Sequence, residues 1–119
     1  MEREARSGCP IATTLDIVGD RWTLVVLRDL LTGKSRFSQF LDSPERITTN
    51  VLTDRLVAME RAGLVTKTAY QQHPRRFDYA LTRKGEALLP VLQEMCRWAS
   101  AHAPGTWTPP KSFMSRKVR

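Results

Sequence analysis

Polar side chains able to do chemistry fall in three clusters. Thr48, Thr49, Asn50, Thr53, Asp54 and Arg55 crowd one predicted helix start. His73, Arg75 and Arg76 lie in a turn-rich stretch, and Lys34, Arg36 and Ser38 precede or begin a short apolar run. Asn pairs bidentately with adenine, Thr meets a thymine methyl, and Arg forks to guanine. Short side chains let a helix N-terminus approach closely, and its free N–H groups favour phosphate oxygens. The same face reads equally as a solvated surface with threonine caps. Asp54 would repel phosphate, so its favoured role is orienting Arg55 or Arg61, with acceptance from a cytosine amino group as the other reading. Arg55 points either to nucleic acid or over the groove between helices. His73, Arg75 and Arg76, with Lys67 nearby, suit phosphate or minor-groove contact; the other reading is a charged guard against edge pairing. Lys34, Arg36 and Ser38 suit backbone positioning.

Nothing in the chain resembles G-x-S-x-G, H-E-x-x-H or a phosphate-binding glycine loop. Carboxylates show no paired pattern, so an enzyme is not expected, and neither is a cofactor. The two cysteines, Cys9 and Cys96, and the two histidines, His73 and His102, are too scattered for a zinc site. Two cysteines without a disulfide framework, and a start lacking an apolar signal region, predict a reducing cytoplasm. No apolar run approaches the roughly 18–20 residues of a membrane span.

The 119 residues suffice for one domain with its own core. Net charge is +7, and its distribution is uneven. Residues 1–60 hold 8 basic and 9 acidic side chains, whereas residues 61–119 hold 11 and 3. A basic surplus on so small a domain points to a polyanion, and nucleic acid is the favoured candidate. A soluble domain with a basic tail is the bland alternative.

Spacing and breakers set the elements. Residues 1–8 are expected to be flexible, 9–103 to form the domain, and 104–119 a Pro-containing basic tail that is disordered or orders on contact. A first helix runs from Pro10 to Val18 and stops at Gly19. Asp20 caps a second over Arg21–Leu31. A third, Arg36–Leu41, meets the turn at Ser43-Pro44-Glu45. Thr48 or Thr49 caps a fourth that ends near Arg61, before Gly63. Alternation then predicts strands over Val65–Tyr70 and Arg76–Leu81 around a five-residue loop. Thr82 caps a last helix reaching His102, with a kink at Pro90 or a first segment ending near Leu89. The order α-α-α-α-β-β-α is mainly helical with a small β-hairpin, the layout of a winged helix-turn-helix.

Cys9-Pro10-Ile11, Gly19-Asp20-Arg21-Trp22-Thr23, Arg36-Phe37-Ser38, Ile47-Thr48, Leu52-Thr53-Asp54-Arg55-Leu56, Ala62-Gly63-Leu64-Val65 and Tyr79-Ala80-Leu81-Thr82-Arg83-Lys84-Gly85 occur in that order. Together they resemble the HxlR-type family of bacterial transcriptional regulators, which are MarR-related. The resemblance covers Cys9 to about His102. It departs from the usual pattern at Gln39-Phe40, where Glu-Leu is usual, and at Asp78, where Glu is. It implies a homodimer built by the first and last helices, bound to double-stranded DNA at a pseudo-palindromic operator as repressor or activator. In some members of that family the N-terminal cysteine senses oxidants or electrophiles.

Residue chemistry adds to those expectations. The last helix carries Leu88, Leu92, Met95 and Trp98, more apolar surface than one small domain must cover. With Ile11 they are the candidate dimer interface, although packing within the chain competes for them. Two-fold symmetry would set the two reading helices roughly 34 Å apart. Cys9 at a helix start has a dipole that favours thiolate; it is a candidate sensor, or else a small residue packed at the interface. A small-molecule or oxidant effector is an open partner, and no membrane is expected. The competing functions are a sequence-nonspecific nucleoid-associated or RNA-binding basic protein, and a module whose tail binds an acidic partner. RNA modules usually expose stacking aromatics, which are few here.

Overall fold

The structure is a computed structural model, and residues 6–118 are described. The expectations for residues 1–5 lie outside the described residues. Helix α1 spans Pro10–Val18, with proline in its first turn where a missing N–H costs nothing. Helix α2 spans Thr23–Leu31. It starts two residues later than expected, but Asp20 still serves its N-terminus. One Asp20 oxygen accepts from the backbone N–H groups of Trp22 and Thr23, both at 2.9 Å, and the other from the Thr23 hydroxyl.

The short α3 is Phe37–Leu41 and the long α4 is Thr49–Arg61. Every third or fourth residue of α4 is apolar, so Leu52, Leu56 and Met59 are buried, while the outer face is mostly polar with Val57 exposed on it. Gly63 follows with φ +76°, a left-handed conformation that ends the helix without Cβ strain. Strands β1 (Val65–Gln72) and β2 (Arg75–Leu81) pair antiparallel. Pairing reaches Gln72 and Arg75, so the expected five-residue loop shrinks to the turn His73-Pro74. The polar residues flanking that turn carry no alternation, which is why the pairing was invisible in the sequence.

The last helix divides, as Pro90 predicts. Helix α5 is Arg83–Glu86 and α6 is Leu89–His102, with Pro90 in the first turn of α6. The Thr82 hydroxyl caps α5 by accepting from Gly85 N–H at 3.1 Å. Gly85 is required there, because a Cβ would run into the Leu64 carbonyl oxygen.

One apolar core joins Val18 of α1, Val26, Leu27 and Leu31 of α2, Phe40 of α3, Leu52 and Met59 of α4, Val65 of β1 and Leu89 of α6, with Leu64 between α4 and β1. Burying one such side chain contributes about 1.5–3 kcal/mol. The region after residue 103 folds back on this core. Helix α7, Lys111–Met114, brings Phe113 against it. The buried Gln93 amide donates to the carbonyls of Phe113, Met114 and Arg116 at 3.0, 3.3 and 2.7 Å. Arg116 in turn donates to the Leu31 carbonyl at the end of α2.

Candidate nucleic-acid interface

The candidate reading helix is α4, and a polar lock lies beneath the turn that precedes it. Asp29 on α2 is buried, and its carboxylate accepts from the Ser43 hydroxyl. Lys34 donates to the same hydroxyl at 3.1 Å and lies 4.0 Å from Asp29. Arg28 grips Glu45 with two hydrogen bonds of 2.6 and 2.9 Å and Asp29 with two more. Its hydrogen bonds to Glu45 lead the causes that raise the Arg28 pKa. The same contact holds the Glu45 carboxyl below the ordinary glutamate value. The turn therefore cannot slide, and Arg46 within it adopts the left-handed conformation at φ +58°. Lys34, a candidate for the DNA backbone, uses its ammonium here to partner the buried Asp29–Ser43 pair.

On α4 the first turn is exposed. The Thr48 oxygen caps the helix, accepting from Val51 N–H at 3.3 Å, and the Thr53 hydroxyl turns back to the Thr49 carbonyl at 2.9 Å. Thr49 and Asn50 are exposed, and neither side chain hydrogen-bonds within the chain among the described residues. Asp54 orients Arg55 through a 2.7 Å bond, and Arg55 also meets Asp20 at 3.3 Å. Burial pushes the Asp20 carboxyl up. Hydrogen bonds from Thr23 and the Trp22 and Thr23 amides, with Arg55 nearby, outweigh it and hold the group below its usual value. Arg55 is thus a hinge pin between the α2 cap and α4, not a free arm.

The wing is tied to α3 from the other side. The Ser35 carbonyl accepts from Tyr79 N–H at 2.7 Å, and Arg36 bridges β2 at Asp78. The Arg36 guanidinium bonds Asp78 at 3.0 Å and stacks 3.8 Å over the Tyr70 ring. Tyr70 sits where the strand register shifts between Ala69 and Gln71, so it has no residue opposite it. Such a bulge re-aims its side chain, here toward Arg36. Ser38 stays exposed on α3. At the wing tip His73, Arg75 and Arg76 are all exposed. Lys67 and Arg75 both lie over the Phe77 ring, 4.6 and 5.4 Å from its centre.

The candidate interface residues divide differently. Leu92 is buried in its own chain's core, and Leu88 is half-buried against that core. Ile11, Met95 and Trp98 remain exposed at 73%, 51% and 66%, and Leu15 and Val91 extend the same apolar exposure. Cys9 is exposed at the N-cap of α1, and its carbonyl accepts from Thr13 N–H at 2.9 Å. Arg6 pairs with Asp16 at 2.7 Å and reaches the Ala12 carbonyl. Cys96 is half-buried on α6.

Comparison with known proteins converges on this arrangement. A family profile described as HxlR-like helix-turn-helix matches residues 17–106. The HTH-type transcriptional regulator YdeP of Bacillus subtilis is 39% identical over 95 residues, covering 80% of this chain and 74% of that protein. Among solved structures, the redox regulator HypR in its reduced form superposes with a TM-score of 0.73 at 31% identity, covering 81% of this chain and 95% of HypR. The reduced form of the transcriptional regulator YodB from B. subtilis gives 0.68 at 28%, covering 85% and 100%.

Proposed function

This chain belongs to the HxlR-like helix-turn-helix family and is an HTH-type transcriptional regulator; from that premise we propose that it binds a pseudo-palindromic operator as a homodimer. Thr48, Thr49, Asn50 and Thr53 on α4 read base edges in the major groove, and His73, Arg75 and Arg76 hold the flanking backbone or minor groove. The observation that carries this reading is the exposed, unpartnered Thr49-Asn50 start of α4, together with a wing tip whose arginines form no ion pair among the described residues. Arg55 and Asp54 support that face by orientation. Arg36 couples wing to helix, with Ser38 beside it available to phosphate.

The dimer is supported by apolar α1 and α6 surface that one chain leaves uncovered at Ile11, Met95 and Trp98. With duplex DNA as its partner, the protein acts at the nucleoid. The test is selection of preferred duplexes from random DNA, then affinity for the winner against random duplex at matched salt. A preference of about 10³ or more for a two-fold-symmetric site is expected. Parity would overturn the operator reading in favour of a nonspecific nucleoid protein.

A second reading concerns Cys9. Its exposure at a helix N-terminus and the likeness to a redox regulator support a thiol whose oxidation or alkylation changes operator affinity. Operator binding measured before and after peroxide or quinone treatment tests it; equal affinity in both states sinks the idea.

A further inference from the structure

The C-terminal segment does more than cover the core. It completes a cavity of about 520 Å³ between α2 and α6. Leu24 and Val25 of α2 form one wall and Leu92 and Met95 of α6 the second. The third is Trp107, the two prolines 109 and 110, and Phe113. That third wall lies beyond residue 106, where the family match ends. It is held by the Gln93 amide and by Arg116 on the end of α2. Small-molecule sites are concave, mostly apolar and about 300–1,000 Å³.

We propose that this cavity binds a small, neutral, largely apolar molecule of aromatic size. Three observations select that class. The volume holds one or two fused rings but not a helix. The one charged lining residue, Arg28, is already consumed by Glu45 and Asp29, so the lining keeps no free cation to recruit an anion. The Thr32 hydroxyl donates to the Arg28 and Asp29 carbonyls, leaving the Thr108 hydroxyl, the Cys96 thiol and the Trp107 indole N–H as the uncharged polar groups of the lining. An occupant would touch α2, which carries the lock under the reading helix, and α6, whose outer face is the proposed dimer surface. The site therefore deepens the regulator reading by supplying an effector pocket. Its test contains no DNA, so its failure is distinct from a failure of operator binding.

The probe is N-phenyl-1-naphthylamine, a neutral fluorophore that brightens in apolar surroundings, titrated into the full chain. Saturable binding of one probe per chain is expected, with half-saturation below about 100 µM. Val25→Phe fills the cavity and is expected to weaken binding at least about tenfold, while Trp98→Ser on the outer face of α6 leaves it within about twofold. Far-UV circular dichroism verifies that each variant folds. A second readout uses no cavity variant. In a Cys9→Ser chain, probe at ten times half-saturation slows reaction of Cys96 with dithionitrobenzoate roughly tenfold. The proposal stands if the probe saturates and protects Cys96. It is overturned by absence of a saturable site, as when a partner copy's side chain fills the cavity, by unprotected Cys96, or by binding lost in folded Trp98→Ser but kept in folded Val25→Phe.

Discussion

Asn50 is the residue on which the proposed reading of base sequence turns. It is exposed in the first turn of α4 and its amide is uncommitted, so its donor and acceptor face outward together. Asn50→Ala is expected to cost about 1–3 kcal/mol of discrimination at one base pair in each half-site. Scoring operator variants base by base checks this; uniform weakening at every position would contradict it. Glu45 acts through structure instead. Its carboxyl is depressed by the Arg28 contact, so its stabilisation is fully present above the unfolded glutamate value of about 4.3 and is lost as pH falls through the lower folded value. Glu45→Gln is therefore expected to lower stability at pH 7 by about 1 kcal/mol or less, since the pair is partly solvated. As pH falls through that lower folded value the variant and the parent should converge, which melting curves taken from pH 7 downward would show. The charged partners of Glu45 and Arg36 are not sequence neighbours: they lie 17 and 42 residues away. Their types were readable in the chain, but which charge would meet which was not.

Elements show the opposite balance. Helices α1 and α4 begin where Pro10 and Thr48 place them, because a missing N–H and a capping hydroxyl act on their own turn. The break before α6 follows from Pro90 in the same way. Wing length and register were not legible. The polar run from Gln71 to Arg76 carries no burial pattern, and the bulge at Tyr70 forms because the Arg36 stack and the strand pairing must both be met. The wing is an arm tied to α3 through Arg36, with a charged tip. Replacing Arg75 and Arg76 by alanine is expected to weaken binding about equally on all duplexes. The log–log salt slope should fall by about one for each phosphate that is no longer neutralised. A titration of affinity against salt measures this, and weakening confined to one base position would contradict a backbone role.

For the whole molecule, the uncovered apolar surface and the docked C-terminal segment are the two facts that matter. Trp98 is two-thirds exposed on α6, a poor place for an indole unless another surface covers it. Trp98→Asp is expected to give monomers at micromolar concentration by sedimentation. Affinity for a two-half-site operator should drop by about 10² or more, because the second half-site is no longer held at high effective concentration. A variant that stays dimeric and binds normally would move the interface elsewhere. Apolar periodicity marked α6 as sticky on more than one side, yet it did not divide the stripe. Leu92 went to the chain's own core, and Trp98 was left out because α2 and Phe113 reach only one side of the helix.

By itself the sequence determined what depends on neighbouring residues: helix starts and stops, the α-α-α-α-β-β-α order, the polar first turn of α4 and the basic second half. Capping, proline geometry and periodicity act within one or two turns, so they can be read without knowing what lies across the fold. Only the tertiary structure decided that Lys34 reaches Ser43 beside Asp29, that Arg55 pins the α2 cap, that Leu92 joins the core with Leu88 packed against it, and that the basic tail closes a cavity. Each of those depends on which distant groups are brought to share a low-dielectric space, where an unpaired charge or an uncovered apolar face costs most.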